Sequence, residues 1–213
     1  MIKKKIAILL PYKENYTINH AGAASIWIKD YLSLSKLKNK TMVYGNLQTK
    51  LKPLTNNFTN IDLTGKVIRK SLRYTEILYN DFLKKKYSII EIHNRPESLL
   101  FLLKKKINAK ITFVFHNNPK EMRGSVTKKE RIFIAENCDY IYFVSMWVKD
   151  KFFEGLPYKH RNNCEILYPA IKPLKKFPKK EKLIIFCGKL NSSKGYDIFG
   201  ESVIKILSEV AGK

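Results

Sequence analysis

Three of the four histidines in this sequence follow apolar runs, directly or through a loop: His20, His93 and His116. A single loop histidine is usually structural or solvated. Three that converge on one sheet edge weigh evenly between that role and a site that moves protons or hydrogen-bonds a ligand. The loop His116-Asn117-Asn118-Pro119-Lys120-Glu121-Met122-Arg123-Gly124-Ser125 is the richest in chemistry, with an imidazole, two amides, three charged side chains and a glycine. Such a mixture suits a polyhydroxylated or phosphorylated ligand, because sugars need many donors and acceptors and phosphates need Arg or Lys. It equally describes a polar loop leading into a capped helix. Ala21-Gly22-Ala23-Ala24 brings a helix amino terminus beside the first strand, where small residues admit a ligand to the backbone and the helix end favours anions. Gly188-Lys189-Leu190-Asn191-Ser192-Ser193-Lys194-Gly195 carries two lysines across a strand–loop–helix turn, either solvated or placed to hold a diphosphate. Neither segment fits the G-x-G-x-x-G or G-x-x-x-x-G-K-[ST] pattern, which disfavours NAD and P-loop chemistry, and no metal-ligand spacing occurs.

The elements that must position these residues alternate. Short apolar runs at Ile6–Leu10, Thr41–Tyr44, Ser88–Ile92, Lys110–Phe115, Tyr140–Val144 and Cys164–Tyr168 read as strands, with room for one more in the polar stretch 46–64. Between them, helical spacing places Ala24, Trp27, Ile28, Tyr31, Leu34 and Leu37 on one face, and Ile68, Leu72, Thr75, Tyr79 and Phe82 on another. Arg95-Pro96-Glu97 starts a helix with proline at its first position. Thr127 and Glu130 form a capping box, and Ser145 caps the helix Met146–Phe153. This alternation predicts an α/β fold with a doubly wound parallel sheet over residues 1–170. A Pro- and Lys-rich linker, 171–182, follows. Residues 183–213 then read as the opening strand and helix of a second Rossmann-like domain, with Phe199, Val203, Leu207 and Val210 on its helix face.

Composition narrows the class. Hydrophobic residues make up 45% of the chain, enough for a core. The three cysteines, odd in number and far apart, suit a reducing cytosol rather than a disulfide framework. No apolar run approaches the ~20 residues of a membrane span, and the short run after Met1 reads as a buried strand rather than a signal peptide. The net charge is +23, with 35 of the 41 basic residues lysine. The runs at Lys3–Lys5, Lys84–Lys86 and Lys104–Lys106 fall just before strands. They belong to the amino edge of a parallel sheet, whereas ligands bind at the carboxyl edge. A solvated edge that complements helix carboxyl ends is favoured there over a patch for anionic membrane.

The order of several segments resembles the retaining glycosyltransferases of family 4, also called group 1, which have the GT-B fold. FCGKLNSSKGYD is similar to the family's "vGRl…KG.d" segment, AENCDYIYFVSMWVK to its "aD.ii.vS.w" strand and helix, EIHNRPE to a "hvHnrp" variant, and EILYPAI to the strand before the hinge. HNNPKEMRGS stands where such enzymes carry a histidine loop. The resemblance implies an acceptor-side domain facing a donor-side domain, transfer from a nucleotide-sugar to a glycan or glycolipid acceptor in cell-envelope polysaccharide synthesis, and no metal or other cofactor. It places His116 at the reacting centre and Gly22, Lys189 and Lys194 near the donor phosphates. Lysine at 189 replaces the usual arginine, which loses bidentate geometry. Arg95, Glu97, Asn117 and Arg123 become acceptor contacts. The resemblance also implies a cytoplasmic location, with peripheral attachment to the inner membrane face. The family's glutamate pair has no counterpart in this sequence, so the 213-residue chain alone is expected to turn over no nucleotide-sugar. The competing reading is a non-enzymatic basic nucleotide- or nucleic-acid-binding α/β domain. No nucleic-acid recognition motif supports it, so nucleic acid is not an expected partner.

Overall fold

The computed structural model describes residues 5–47, 51–63, 69–169, 176, 179–181, 183–188 and 190–211. The chain divides into two compact units, Met1–Lys172 and Pro173–Lys213. In the first unit the expected strands pair into one parallel sheet of seven. They are β1 (Ile6–Leu9), β2 (Thr41–Gly45), β3 (Phe58–Asn60), β4 (Ile89–His93), β5 (Lys110–Phe115), β6 (Tyr140–Phe143) and β7 (Cys164–Ile166). Their spatial order is β3-β2-β1-β4-β5-β6-β7. Five helices of this unit connect them: α1 (Ala23–Leu34), α2 (Lys70–Lys85), α3 (Pro96–Lys104), α4 (Lys128–Asn137) and α5 (Met146–Phe153).

Side-chain alternation in β1 sorts the helices into two layers. Ile6, Ile8 and Leu10 pack with Ala24, Ile28 and Leu32 of α1. Ala7 and Leu9 join the larger core, which takes Leu78 from α2, Leu99 and Leu102 from α3, Ile134 from α4 and Phe152 from α5. Right-handed crossovers require this division. The chain moves one way from β1 to β3 and the other way from β4 to β7, so among the described helices of this unit α1 lies alone on its face. The point of reversal lies between β1 and β4, which are paired through Leu9 and Ile92. Ligands of open α/β sheets bind outside the strand carboxyl ends at such a point.

Local signals hold where they were strongest. Pro96 opens α3. Thr127 accepts from the Glu130 amide while the Glu130 carboxylate accepts from the Thr127 amide. The Ser145 hydroxyl accepts from Val148. α1 stops at Leu34 rather than Leu37, because Ser35 turns extended and the chain tightens into a 3-10 turn, Lys38–Lys40, before β2. Ile68 lies outside the described residues.

The second unit contains α6 (Tyr196–Ala211), preceded by a 3-10 turn, Ser192–Lys194, that Gly195 ends in the left-handed region at φ 70°. The strand expected at Leu183–Cys187 does not form. A parallel strand is held by hydrogen bonds to a neighbour, and the described residues of this unit contain no other strand. Phe186 instead lies against Phe199 of α6, ring centroids 5.5 Å apart.

Candidate functional site

The carboxyl ends of β1, β4, β5 and β6 surround a cleft of about 1080 Å³. Its centre is built by strand periodicity. Ile90 and Ile92 of β4 enter the large core, so Glu91 and His93 lie on the opposite face, beneath α1. His93 is fully buried. Its Nε2 lies 2.8 Å from Glu91 Oε1, and its Nδ1 lies 2.9 Å from Nε2 of His116, the residue just beyond β5. Trp27 of α1 sets its ring edgewise against both imidazoles, with centroids 5.4 and 5.3 Å away. The His116 amide donates to Asn94 Oδ1 at 3.1 Å. Asn94 holds φ 53°, a conformation asparagine tolerates better than most residues.

This chain of contacts fixes protons. An ionised Glu91 only accepts, so His93 Nε2 carries the hydrogen. One hydrogen lies between His93 Nδ1 and His116 Nε2, and His116 Nδ1 is the ring nitrogen outside this pair. Burial, reinforced by the adjacent His93, pushes His116 down to about 3. His116 is therefore a neutral hydrogen-bonding group on the cleft wall throughout the physiological pH range.

On the side toward β1 the cleft is basic. The Arg95 guanidinium stacks on Tyr12, 5.1 Å from the ring centroid. Arg69 and Lys70, at the start of α2, line the same wall. Arg123 Nε pairs with Glu97 Oε1 at 3.3 Å, and Glu121 accepts from the Asn118 amide at 2.7 Å. Toward β6 the lining turns apolar, with Met122, Val144, Trp147 and Val148.

The loop carrying Arg123 is pressed onto the α3 amino terminus at Gly124. This glycine has φ 94°, and a Cβ there would lie 2.6 Å from the Glu97 nitrogen and 2.9 Å from the Pro96 carbonyl carbon. Both atoms are backbone and cannot rotate away. Gly124→Ala is expected to cost about 2 kcal/mol through strain and displacement, measured as a shift in the urea midpoint at unchanged m-value.

The structure thus brings five of the sequence-selected residues, His116, Arg95, Glu97, Asn117 and Arg123, to one cleft. Gly22 does not line it. The Glu14 carboxylate occupies the amino end of α1, where the donor phosphate was expected: Glu14 Oε1 accepts from the Ser25 amide at 3.1 Å, and a Cβ at Gly22 would collide with it. His20 is exposed on the preceding loop. Lys194 is exposed in the second unit, and Lys189 lies outside the described residues.

Sequence reading overlooked Glu91, Tyr12, Arg69, Lys70 and Trp147. Glu91 had a signal, a charged residue two before a histidine in an otherwise apolar strand. The others depend on which loops the sheet order brings together. Arg131 was overlooked as well. It is only 2% exposed and donates to the carbonyls of Ser125, Val126, Phe152 and Glu154, tying the site loop to the end of α5. Among the described residues no cluster of His, Cys, Asp and Glu could hold a metal ion, and no helix is long and apolar enough to cross a membrane.

The sheet and its helices define a Rossmann-like α/β protein, with a fold found in GT-B enzymes. Solved structures show this likeness. A sucrose-phosphate synthase from Thermosynechococcus elongatus matches with a TM-score of 0.53 at 12% identity, over 78% of this chain and 48% of that one. A shorter form of the same enzyme matches with a TM-score of 0.51 at 11% identity, over 79% of this chain and 90% of that one. The chain thus spans about half the length of the full synthase it matches. No protein-family model and no curated protein matches the sequence.

Proposed function

We propose that this chain supplies the acceptor-side domain of a retaining, family-4-like glycosyltransferase of the EC 2.4 class. The enzyme moves a sugar from a nucleotide-sugar to a glycolipid, lipopolysaccharide or polysaccharide acceptor. The observation that carries the reading is the half-buried, neutral His116 on the wall of a cleft at the sheet's reversal point, followed by Asn117 and Asn118. A neutral imidazole beside two amides meets the alternating donors and acceptors of a sugar ring. The fold shared with sucrose-phosphate synthase, an enzyme named for a sugar-phosphate product, supports the reading.

In this reading the bond between the anomeric carbon and the donor's diphosphate oxygen breaks, and a bond from that carbon to an acceptor hydroxyl forms. A group held at about 3 is too weak a base to take the hydroxyl proton near neutrality. His116 therefore orients a sugar hydroxyl through Nδ1, and the proton leaves with the diphosphate. Lys189 and Lys194 belong to the proposal as donor-phosphate contacts, and no metal is needed to offset the leaving charge. Attachment to the inner face of a membrane is part of the same proposal. It rests on the net charge of +23 and on the amino-edge lysines, although Lys85 is paired with Asp81 and Lys105 folds over Tyr79 and Phe101.

The test is transfer of radiolabelled sugar from a panel of nucleotide-sugars to lipid and glycan acceptors by a protein in which this unit is joined to a donor-side domain. His116→Ala is expected to lower kcat by about 100-fold, the effect of losing one oriented hydrogen bond at a reacting centre, with KM for the donor little changed. Full activity in that variant would refute the role given to His116. Absence of transfer from every donor in the panel would refute the class.

A further inference from the structure

We propose that Arg95, Arg69 and Lys70 form a phosphoryl-binding subsite in the cleft, and that the acceptor is a phosphorylated sugar or a phosphate-linked glycolipid. The word acceptor rests on the glycosyl-transfer reading, whereas the subsite rests on the cleft itself.

The argument begins with charge. Four basic side chains and two carboxylates line the cleft. Arg123 is matched by Glu97 and Glu121 is engaged by Asn118, so no carboxylate among the described residues neutralises Arg95, Arg69 or Lys70. Arg95 is half-buried and Arg69 and Lys70 are exposed at the rim, and three like charges facing one cleft give it a positive potential. Two of them also sit at the amino end of α2, where the helix dipole opposes them. α3 and α4 carry Glu97 and Glu130 in their first turns and the α1 end receives Glu14, whereas α2 has no acid in its first turn and no side-chain cap. An anion between these groups reverses the sign of each of these terms at once.

Arg95 adds a separate observation. Its Nε is buried and finds no hydrogen-bond partner among the described residues. A buried donor left unmade is costly, and an arginine fork matches phosphate geometry. Stacking on Tyr12 holds the guanidinium plane in place, so little side-chain freedom remains to be lost on binding.

Sheet order gives the subsite its place in the reaction. β1, β4, β5 and β6 are consecutive neighbours, spaced about 4.8 Å apart. The basic wall lies at the β1 and β4 ends, His116 at β5 and the apolar wall at β6. A phosphate at Arg95 thus stands roughly 5–10 Å from the imidazole, the span of one sugar ring. The apolar stretch from Met122 to Trp147 extends on the far side. Glu14 already fills the anion-binding end of α1, which leaves the basic wall as the phosphate position in this unit.

The test uses the 213-residue chain and four probes: inorganic phosphate, glucose 6-phosphate, glucose and UDP, each titrated by calorimetry at two salt concentrations. Phosphate and glucose 6-phosphate are expected to bind and glucose is not. Arg95→Gln is expected to weaken both phosphates at least 10-fold, while Lys104→Gln, at the far end of α3, leaves them unchanged. Circular dichroism melting of both variants checks that they remain folded. Equal weakening by Lys104→Gln would reduce the effect to net charge and overturn the subsite, as would phosphate binding indifferent to Arg95→Gln. Competition between UDP and glucose 6-phosphate, with UDP weakened equally by Arg95→Gln, would overturn the assignment to the acceptor and give the phosphate to the donor. If phosphate binds as expected but the protein joined to a donor-side domain transfers no sugar, the transferase reading fails and the subsite stands. If transfer proceeds equally well to unphosphorylated acceptors and ignores Arg95→Gln, the reverse holds.

Discussion

Replacing Arg131 by methionine is expected to lower the stability of the first unit by about 4 kcal/mol and its melting temperature by about 10 °C. The guanidinium makes four hydrogen bonds to main-chain carbonyls, at 2.8 Å to Phe152, 3.1 Å to Ser125, 2.7 Å to Val126 and 2.9 Å to Glu154. Methionine fills the volume but leaves these acceptors without a donor, and an unmade buried hydrogen bond costs more than a made one contributes. The damage is directional. Ser125 and Val126 end the loop that begins at His116, and Phe152 and Glu154 end α5, so the arginine ties the site loop to the end of α5, beside the Lys120–Glu154 pair. Thermal melting followed by circular dichroism measures the loss. Arg131→Lys is the informative companion: it keeps the charge and loses the planar fork, and it is expected to recover less than half of the lost stability. Full recovery with lysine would mean that the charge matters and the carbonyl network does not.

The second large effect is on pH. His116 falls to about 3 in the folded protein because burial, together with His93, disfavours the imidazolium. In the unfolded chain it returns to about 6.5. Between those values the unfolded state binds the extra proton, so stability rises with pH and is lost as pH falls. The contribution is fully present above about pH 6.5 and declines toward pH 3, with a slope approaching 1.4 kcal/mol per pH unit. Other groups face this imidazole or the relay behind it. His93 and Asn94 come from β4 and its turn, Trp27 from α1, and Glu91 lies beyond His93, near Tyr31 and Tyr142. The difference between the native protein and His116→Asn isolates the one proton from that background. Urea unfolding between pH 4.5 and 7.5 is expected to show the native protein losing stability relative to the variant as the solution is acidified. Parallel profiles would mean that His116 is not held neutral.

Much of the fold could be read from the sequence because its signals are local. Apolar runs such as Ile6–Leu9 and Ile111–Phe115 are buried on both faces, which only a strand between helix layers permits. Pro96, the Thr127–Glu130 pair and Ser145 mark helix starts within one turn of chain. His116, Arg95, Asn117 and Arg123 could be selected because each follows a strand, and parallel strands all end on the same edge. Leu183–Cys187 shows the limit: its apolar run has the composition of a strand, but a strand also needs a neighbour to bond.

What the sequence by itself determined is therefore a parallel α/β unit with a polar, histidine-bearing loop at the carboxyl edge, and the helix of the second unit but not the state of the segment before it. What only the tertiary structure decided is the chemistry at that edge. The Glu91–His93–His116 chain of contacts joins residues of two adjacent strands at distances near 2.9 Å that no spacing along the chain encodes. The Arg95–Tyr12 stack joins β4 to β1 across the point where strand order reverses. Glu14, an ordinary loop acid in the sequence, becomes the occupant of a helix end. Hydrogen bonds and charge pairs act over a few ångströms in space, and residues distant along the chain meet at that range only after the sheet order has placed them side by side.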